Sequence, residues 1–318
     1  MRALIVTNMY PSARRPALGS FVRDQVRALG RIPGLHVEVF GFAPGGPRAY
    51  AGAAARLRRF APERFDIVHA HFGLTAWPAI AASGRHHAVT MHGTDLTHPR
   101  SRAITLAALR FTDLAATVSA PLAERVPRWA APRGVAVLPC GVDMQRFRPI
   151  DRAEARGALG LPRDRPCLLF PADPSRPEKR HDRALAVAGE VRLLALGDIA
   201  PEHVPLWVNA ANAVLVPSDR EGFGLAVLEA LACDVPVLAT PVGIAPEVLA
   251  DLPGAHCGAF DVGVWREALA PHLAAADPRV DGRRHAEPFS SDRMAERVLA
   301  AWQALDGPGK RDGVRNSG

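Results

Sequence analysis

Two carboxylates, Glu221 and Glu229, are the residues of this 318-residue sequence whose spacing points most directly to chemistry. A helix-like stretch from Leu225 to about Ala232 places Glu229 roughly 12 Å along an ideal helix axis from Glu221, about the reach from the sugar of a nucleotide-sugar to its ribose. Carboxylates would repel a diphosphate, so their plausible task is to accept hydrogen bonds from hydroxyl groups. The pair therefore predicts a long ligand with hydroxyl groups at both ends.

Two glycines, Gly222 and Gly224, bracket Phe223 directly after the first carboxylate. Because no side chain shields the backbone there, a ligand can approach the amides directly. The surrounding pattern is an apolar strand, Ala213–Val216, a polar turn, the helix, and a second strand, Val235–Ala239. In parallel α/β units of this kind, ligands bind at the carboxyl ends of strands and at helix N-termini.

The same residues also allow a purely structural interpretation. Ser218 and Glu221 have the spacing of a capping box, in which each side chain bonds a backbone N–H at the start of a helix. Glu229 would then be a solvated helix residue. The two glycines after Glu221 weaken this alternative, because glycine is a poor residue for the first turn of a helix.

The stretch closely resembles the donor-site signature of family 4 glycosyltransferases, which have the GT-B fold. The shared pattern joins Glu221 and Glu229 within EGFG-x-x-x-LEA and ends in a T-x-VG-x-x-PE turn made by Thr240, Val242, Gly243, Pro246 and Glu247. The resemblance implies an enzyme, a retaining hexosyltransferase that moves a sugar from a nucleotide-diphosphate-sugar donor to a hydroxyl acceptor. The acceptor would be a glycan, a lipid-linked glycan or a small-molecule glycoside, as in polysaccharide biosynthesis. No cofactor is expected, since the nucleotide-sugar is a substrate.

Arg176 and Lys179 are the expected partners of the donor diphosphate, in the loop after a buried strand pattern, Cys167–Phe170. A diphosphate needs fixed positive charge, and Arg offers a two-pronged match while Lys offers a point charge. The resemblance implies a phosphate-binding role for Lys179. The usual Arg of the family falls earlier in the loop, at Asp173-Pro174, so Arg176 is an inferred substitute. The sequence has no Asp-x-Asp pattern at a strand end that would indicate a metal site, so we expect metal-independent chemistry. The alternative interpretation of Arg176 and Lys179 is that they belong to a solvated basic loop.

His92 is the candidate residue of the first half. A strand pattern, Ala88–Met91, ends directly before it, and the loop His92–Asp95 lies where α/β proteins build their sites. The resemblance implies that His92 faces the cleft near the donor sugar, where it hydrogen-bonds hydroxyls or helps to orient the reacting centre. We assign it no general-base role. Asp95 is expected to cap the next helix.

Two more histidines, His69 and His71, lie on one face of the strand pattern Asp66–His71. Such a pair could begin a metal site, but no third ligand is apparent at close spacing. We therefore favour packing or substrate lining and expect no metal.

The N-terminal segment has a strand pattern, Ala3–Thr7, a loop that runs to Gly19, and a helical pattern from Ser20. Its sequence is similar to the N-terminus of many bacterial members of the family. The resemblance implies that the loop borders the acceptor and the donor phosphate, with Gly19 among the donor-binding residues. This chain has Leu18 before Gly19 where many relatives have a second glycine.

Catalysis in such a site is expected from preorganised positive groups that stabilise the departing diphosphate. The expected catalytic residues are His92, Glu221, Arg176 and Lys179. The expected donor-binding residues are Gly19, Arg176, Lys179, Glu221, Gly222, Phe223, Gly224, Leu225 and Glu229.

The composition narrows the class of protein. The net charge of +7 and the 48% of apolar residues indicate a basic protein with enough apolar residues for two cores. An anionic lipid surface or an anionic substrate is favoured over nucleic acid, because no nucleic-acid motif is recognised. The alternative is that the basic charge reflects only the use of Arg in place of Lys throughout the chain and indicates no anionic partner. Four cysteines without C-x-x-C spacing indicate a cytoplasmic protein with reduced thiols.

No signal peptide is recognised at the N-terminus, and no apolar run reaches the roughly 18 residues of a membrane span. We therefore expect a cytoplasmic location, with peripheral contact with the inner face of an anionic membrane as a further expectation.

The expected architecture is α/β of the GT-B type: two Rossmann-like domains with parallel sheets facing a central cleft, and a C-terminal helix that crosses back. Residues 1–149 would form the acceptor-side domain and residues 150–290 the donor domain. Residues 291–305 would return to the first domain, and residues 306–318 would be a disordered tail. The donor domain is expected to lack about one β/α unit before Ala213.

Two further patterns concern helices of the first half. Residues 41–55 are rich in Gly, Ala and Pro and predict a loop that feeds a short helix ending at Arg59. Pro121–Val126 predicts a second helix.

Two other classes of function remain in view. A catalytically silent nucleotide-sugar-binding subunit would explain the shortened domain and the displaced Arg. A dinucleotide-dependent oxidoreductase is disfavoured, because no G-x-G-x-x-G follows the first strand.

Overall fold

The computed structural model describes residues 1–12, 15–60, 64–197 and 199–307. The chain divides into two compact units. The first comprises Met1–Tyr10, Gln25–Leu138 and the chain from Met294, and the second comprises Pro11–Asp24 and Pro139–Arg293.

This division differs from the predicted domain limits at residues 11–24 and at residues 139–149, and the second of these segments is bonded as follows. The backbone of Val142 accepts a hydrogen bond from Ser291 and donates one to Phe289, at 2.8 and 2.9 Å. The guanidinium of Arg283 donates to the carbonyl oxygens of Met144 and Phe147, at 2.7 and 2.8 Å. These bonds attach the segment to the second unit.

The first unit contains a parallel sheet with the strand order β2-β1-β3-β4-β5-β6. Its strands are β1 (Arg2–Thr7), β2 (His36–Gly41), β3 (Phe65–His71), β4 (Gly84–Met91), β5 (Leu114–Thr117) and β6 (Val135–Val137). Strands β1 and β3 are almost continuously buried, as expected for the interior of a parallel sheet. The order reverses at β1, so the carboxyl ends of β1 and β3 border the position where such sheets bind ligands.

The second unit contains a parallel sheet with the order β11-β10-β9-β7-β8. Its strands are β7 (Cys167–Phe170), β8 (Arg192–Ala195), β9 (Ala213–Val216), β10 (Val237–Ala239) and β11 (His256–Cys257). Strand β7 neighbours both β8 and β9, so the reversal point lies at the carboxyl ends of β7 and β9. In the described residues between β8 and β9, one helix makes the connection.

Helices make most of the connections in both units. The α-helices are α1 (Ser20–Leu29), α2 (Pro47–Phe60), α3 (Ala76–Ala79), α4 (Thr94–Thr97), α5 (Pro99–Ala108), α6 (Ala120–Ala123), α7 (Arg152–Ala158), α8 (His181–Ala188), α9 (Val204–Ala210), α10 (Leu225–Ala232), α11 (Ala245–Val248), α12 (Val262–Ala274), α13 (Gly282–Ala286) and α14 (Ser291–Gln303). Short 3-10 helices cover Gly73–Thr75, Leu109–Phe111, Pro177–Lys179, Glu287–Phe289 and Ala304–Asp306. None of the helices in the described part of the chain has the length and apolarity needed to cross a bilayer.

Apolar side chains stabilise each sheet. In the first unit, Leu4 and Ile5 of β1 are fully buried, and in the second, Trp265 of α12 packs in a cluster with Phe170 of β7 and Leu215 of β9. Burying one such aliphatic side chain contributes about 1.5–3 kcal/mol to stability. The loops at the strand ends are therefore attached to rigid supports.

Four predicted elements differ from the structure by two residues or more. Strand β4 begins at Gly84, four residues before the predicted Ala88. Helix α2 begins at Pro47, well before Ala55, because proline is pre-organised for the first helical turn and the alanines that follow favour a helix. The helix predicted over Pro121–Val126 is the four-residue α6. Strand β10 starts at Val237, because Pro236 has no N–H for the ladder.

Most of the predicted tail lies outside the described residues, as do two positions of the loop before Gly19.

Candidate active site

The loops that follow β7 and β9 meet at one edge of the second sheet, since the two strands are parallel neighbours. The backbone N–H of Asp219 donates to the carbonyl oxygen of Glu178 at 2.9 Å and joins the loops directly. One residue further along, Lys179 Nζ lies 2.6 Å from Glu221 Oε2 and 2.7 Å from Oε1. The structure therefore brings together two residues predicted from separate motifs.

The carboxylate of Glu221 is held from two sides. Besides the ammonium of Lys179, the hydroxyl of Ser218 donates to Oε1 at 2.8 Å, and the glutamate side chain is only 10% exposed. Ser218 is itself held, because Thr240 Oγ1 donates to its carbonyl oxygen at 2.5 Å. The orientation of the carboxylate is thus fixed by charge and by hydrogen bonds.

The capping-box alternative is wrong. Helix α10 begins at Leu225, and the residue before it is Gly224, with φ 93°. Ser218 and Glu221 bond to each other, outside the helix, instead of capping its N-terminus. A glycine fits at position 224 because residues with a side chain are strained at positive φ.

The loop that contains Gly243 and Ile244 packs against the glycine turn, Gly222–Gly224. The backbone N–H of Ile244 donates to the carbonyl oxygen of Phe223 at 2.7 Å. Gly243, with φ 60°, lies so close that a β-carbon there would be 2.3 Å from the same oxygen and 2.9 Å from Glu221 Cβ. Phe223 is buried and its ring contacts Phe289. The backbone amides of the turn therefore have a fixed position.

Arg176 lies in the same loop as Lys179 but has a different partner. Its guanidinium bonds Glu178 Oε1 at 2.6 and 3.0 Å, and its side chain is 54% exposed. The neighbouring Arg180 and Arg183 pair with Asp219. Lys179 is thus the cation of this loop that contacts Glu221, and Arg176 is a more exposed positive charge nearby.

Glu229 is half-buried on α10, and burial raises the pKa of its carboxyl group to about 7. The charge of Arg146 opposes this effect and that of Asp24 adds to it. Among the described residues, no hydrogen bond to the Glu229 carboxylate is found. A half-buried carboxylate without a protein partner is available to accept hydroxyl groups.

Sequence reasoning missed the ion cluster beside Glu229. Arg146 Nη2 lies 2.8 Å from Asp24 Oδ2, and Arg23 Nε donates to Asp24 Oδ1 at 3.1 Å. Two buried donors, Arg146 Nε and Arg23 Nη2, have no partner in the described structure. The sequence feature that could have indicated this cluster is Arg146, a basic residue just after the turn at Asp143. Nothing in the sequence connects Arg146 to Glu229, which lies 83 positions away.

Gly19 is placed at the start of this cluster. It has φ 67° and precedes α1, and its carbonyl oxygen accepts hydrogen bonds from the N–H groups of Val22 and Arg23 at 3.0 and 3.2 Å. The glycine therefore sets the beginning of the helix that carries Arg23 and Asp24.

In the first unit, His92 follows β4 as predicted, but the role of Asp95 differs from the expected helix cap. The buried Asp95 carboxylate accepts hydrogen bonds from the backbone N–H groups of Gly93, His92 and Gly73, at 2.8, 3.1 and 3.1 Å. Burial nonetheless raises the pKa of this carboxyl group. Helix α5 is capped by the ring of His98 instead. Asp95 thus ties the His92 loop to the loop after β3.

The three histidines form a stacked group. The rings of His69 and His71 have centroids 5.0 Å apart, those of His71 and His92 are 5.2 Å apart, and His71 Nδ1 lies 3.0 Å from His92 Nε2. Burial lowers the pKa of all three imidazoles, that of His71 to about 4. His92 is thus a third histidine beside the predicted pair. In the described chain, however, no set of three His, Cys, Asp or Glu residues has the geometry of a metal site.

Comparison with known proteins gives consistent results for both units. The family described as "Glycosyltransferase Family 4" matches residues 5–146, and "Glycosyl transferases group 1" matches residues 161–275. A D-inositol 3-phosphate glycosyltransferase of Mycolicibacterium paratuberculosis is 30% identical over 363 residues, covering 92% of this chain and 78% of the relative. The enzyme of the same description from Actinosynnema mirum is 31% identical over 364 residues, covering 93% and 85%.

Solved structures share the fold at low identity. Sucrose-phosphate synthase from Thermosynechococcus elongatus has a TM-score of 0.70 at 19% identity, covering 96% of this chain and 99% of that one. Anabaena HepE in complex with UDP and glucose has a TM-score of 0.71 at 16% identity, covering 96% and 100%. With the two parallel-sheet units, these matches show the GT-B fold. The chain is a glycosyltransferase and belongs to family 4.

Proposed function

We propose that this enzyme transfers a sugar from a nucleotide-diphosphate-sugar to a hydroxyl acceptor, with retention at the anomeric carbon and without a metal ion. The observation that carries the proposal is the contact of Lys179 with both oxygens of Glu221, at the ligand-binding edge of a parallel sheet. Glu229, on the helix that starts from the same turn, has no bonded partner among the described residues.

In this proposal the Glu221 loop holds the sugar and the diphosphate. Glu221 accepts hydrogen bonds from sugar hydroxyls. The ammonium group of Lys179, which contacts Glu221 in the structure, also interacts with the diphosphate when the donor is bound. Arg176 and the amides of Gly222–Gly224 supply further positive groups, and Leu225 begins a helix whose N-terminus favours an anion. These groups stabilise the negative charge of the leaving diphosphate, which is the main demand of the reaction.

Glu229 binds the other end of the donor in this proposal. Its carboxylate accepts the ribose hydroxyls, and Gly19 lets the N-terminal loop approach the donor phosphate. His92 hydrogen-bonds the transferred sugar. The acceptor is a hydroxyl of a glycan, of a lipid-linked glycan or of a small-molecule glycoside; because two relatives are named for D-inositol 3-phosphate, this polyol phosphate is included among the acceptors to test.

The test combines donor binding with transfer. A thermal-shift screen with UDP-, GDP- and ADP-sugars identifies the donor, since a bound ligand stabilises the fold by mass action. Transfer is then measured for Lys179→Met and Glu221→Gln, and both variants are expected to lose at least about 100-fold in kcat/KM. Arg284→Gln removes an exposed charge of the same unit and serves as the control.

Two outcomes would overturn the proposal. If the wild-type protein binds a nucleotide-sugar but neither hydrolyses nor transfers it with any acceptor, a silent binding subunit is the correct description of the chain. If Lys179→Met and Glu221→Gln transfer sugar like Arg284→Gln, the site lies elsewhere.

We also propose peripheral contact with the inner face of an anionic membrane, through an aromatic face on the first unit. This face consists of Trp77, Ile104, Phe111 and Trp129, which are 41%, 47%, 60% and 62% exposed. The rings of Trp77 and Phe111 are 5.8 Å apart, and Trp77 Nε1 donates to the carbonyl oxygen of Ile104. Tryptophan is enriched at membrane interfaces because its ring is apolar and its N–H is polar.

Positive charge surrounds the aromatic face. Trp129 lines one pocket together with Arg110 and Arg133. Between positions 98 and 134 the chain has six arginines, all exposed, against two acidic residues, Asp113 and Glu124. Arginines near a membrane surface are attracted to anionic headgroups by about 1 kcal/mol each. Charge complementarity therefore favours an anionic bilayer as the partner of this face.

A further inference from the structure

Arg180 has a backbone conformation that residues with long side chains disfavour. Its φ and ψ are 57° and 53°, in the left-handed region. Among the described residues other than glycine, a positive φ is also found at Phe72, Asp234 and Asp251. Aspartate tolerates this region better than arginine, because its short carboxylate can bond the local backbone. A strained backbone next to a candidate site residue is a reason to look for a function of the side chain.

The conformation of Arg180 sets the direction of the loop after β7. The 3-10 helix Pro177–Lys179 ends at this residue, whose N–H donates to the carbonyl oxygen of Pro177 at 3.1 Å. Helix α8 begins directly after it, and the carbonyl oxygen of Arg180 accepts a hydrogen bond from the N–H of Arg183 at 3.0 Å. Arg180 therefore lies between Lys179 and a helix that packs in the apolar cluster of the second sheet.

The guanidinium of Arg180 uses all three of its nitrogens. Nε and Nη2 donate to the two oxygens of Asp182 at 2.9 and 2.7 Å, a two-pronged contact within α8. Nη1 lies 3.2 Å from each oxygen of Asp219. Asp219 belongs to the loop after β9, two residues before Glu221. Arg180 therefore connects the start of α8 to the loop that carries Glu221.

Asp219 is held from two positions on α8. Besides Arg180, the guanidinium of Arg183 lies 2.8 Å from Asp219 Oδ1, and it also donates to the carbonyl oxygen of Pro217 at 3.1 Å. The contact of Arg180 is the one adjacent in sequence to Lys179. A glycine at position 180 would adopt the left-handed conformation without strain but would not make this contact. The side chain of Arg180 thus adds a connection between the two loops that the backbone conformation alone does not supply.

We infer that Arg180 is a positioning residue of the donor site: it holds Asp219 against α8 and thereby keeps Glu221 in contact with Lys179. The inference rests on the proposed function in treating Lys179 and Glu221 as the donor-binding pair. The side chain of Arg180 is 30% exposed, and exposed ion pairs contribute little to stability. Its effect is therefore expected on the geometry of the site, where small displacements of charged groups matter, more than on folding.

A thermodynamic cycle on Lys179 and Glu221 tests the inference without an assay of activity. Urea unfolding of the wild type, Lys179→Met, Glu221→Gln and the double variant gives the coupling between the two side chains. The same cycle is then measured with Arg180→Gly present throughout. We expect the coupling to fall by at least about half in the Arg180→Gly background. An unchanged coupling would overturn the inference, since the pair would then keep its contact without Arg180.

Transfer kinetics provide the second readout. Arg180→Gly should lose roughly 10-fold in kcat/KM. In combination with Lys179→Met it should add little to the loss caused by Lys179→Met alone, because Arg180 acts through that residue. Asp219→Asn should lose at least as much as Arg180→Gly, because the contact with Arg183 is weakened as well. Wild-type kcat/KM in Arg180→Gly, or fully additive losses in the combined variant, would contradict a positioning role.

Asp251→Gly is the matched control. Asp251 is an exposed residue of the same unit with φ 56°, so glycine relieves the same kind of strain there. This variant should keep both the Lys179–Glu221 coupling and kcat/KM of the wild type. If it changes them as Arg180→Gly does, relief of backbone strain is the cause and the contacts of Arg180 are not.

The two proposals fail in different ways. A wild-type protein without any transfer activity contradicts the proposed function but leaves the coupling measurement by urea unfolding intact. An active enzyme in which the coupling of Lys179 with Glu221 does not depend on Arg180 contradicts only the inference about Arg180.

Discussion

A β-carbon on Gly243 would lie 2.3 Å from the carbonyl oxygen of Phe223, a distance that no real contact allows. The absence of a side chain at Gly243 therefore sets how closely two loops of the second unit approach each other. One of these loops carries Glu221. A residue with no functional group of its own thus determines where the carboxylate lies.

We predict that Gly243→Ala displaces the Glu221 loop. The alanine would add a steric clash to the strain of a positive φ, and we expect a loss of about 2–4 kcal/mol in the free energy of unfolding. Nucleotide-sugar affinity should fall by at least about 10-fold, since the carboxylate and the glycine amides move together. Urea unfolding and donor titration measure the two effects.

Gly52→Ala is the matched control for this substitution. Gly52 lies on the exposed side of α2, and a β-carbon there meets no atom within 4 Å. Alanine should stabilise the helix by up to about 1 kcal/mol. If Gly243→Ala has the same stability and nucleotide-sugar affinity as Gly52→Ala, the close contact between Gly243 and Phe223 does not position the donor site.

Glu229 should make stability depend on pH in the neutral range. Its pKa is about 7 in the folded protein, against an ordinary value of 4.5. The folded state therefore holds the proton more tightly, and the resulting stabilisation is complete below pH 4.5 and is lost as pH rises through 7. At pH 8 the free energy of unfolding of Glu229→Gln, measured by urea unfolding, should exceed that of the wild type by about 1–3 kcal/mol. The difference should be smaller at pH 5.

Glu267→Gln tests whether this effect belongs to the burial of Glu229. Glu267 is an exposed glutamate on α12 of the same unit. Its replacement should leave the difference in stability between pH 5 and pH 8 as it is in the wild type. An equal effect of both substitutions would contradict the raised pKa of Glu229.

The buried histidines should make the first unit sensitive to acid. The pKa of His71 falls from an ordinary 6.5 to about 4 on folding. Below pH 6.5 the unfolded chain binds a proton that the folded protein does not bind. The free energy of unfolding that depends on His71 is therefore at its maximum above pH 6.5 and declines as the pH falls toward 4. The decline attributable to His71 is about 3 kcal/mol.

His71→Asn should remove that part of the acid sensitivity, measured as the midpoint of urea unfolding between pH 7 and pH 4. His98, an exposed histidine of the same unit, provides the control through His98→Asn. A wild-type profile that is flat over this range would show that His71 titrates normally.

Binding to vesicles tests the aromatic face. The protein should bind vesicles that contain phosphatidylglycerol, bind pure phosphatidylcholine poorly, and be released by salt, because exposed charges are screened over about 10 Å at 0.1 M ionic strength. The double variant Phe111→Ser, Trp129→Ser should lose most of the binding. Leu185→Ser removes an equally exposed apolar side chain from the second unit and should bind normally. Unchanged binding by the double variant would exclude this face.

The sequence was most informative where a pattern is local. The bounds of β7, β9 and α10 agree with the predicted Cys167–Phe170, Ala213–Val216 and Leu225–Ala232, because short apolar runs between turn residues leave few alternatives. The GT-B fold and the family were also predicted correctly, from residues that lie within one stretch of about 30 positions.

Contacts that depend on register or on distant segments were not predictable. The pairing of β3 with β4 decides that His71 meets His92, and no spacing within either strand reveals it. Arg146 and Glu229 are brought near each other by tertiary packing alone. The placement of Ser218 and Glu221 outside the helix also required the structure, because the same spacing serves a capping box.

The hydrogen bond from Trp302 to His69 connects residues 233 positions apart. During synthesis, the N-terminal strands leave the ribosome long before α14 does, so His69 gains its indole partner only after the chain has been translated beyond residue 302. The first sheet can begin to form early, but its buried His69 makes this hydrogen bond only when α14 has emerged. A chain truncated before residue 302 would therefore contain a first unit without this hydrogen bond.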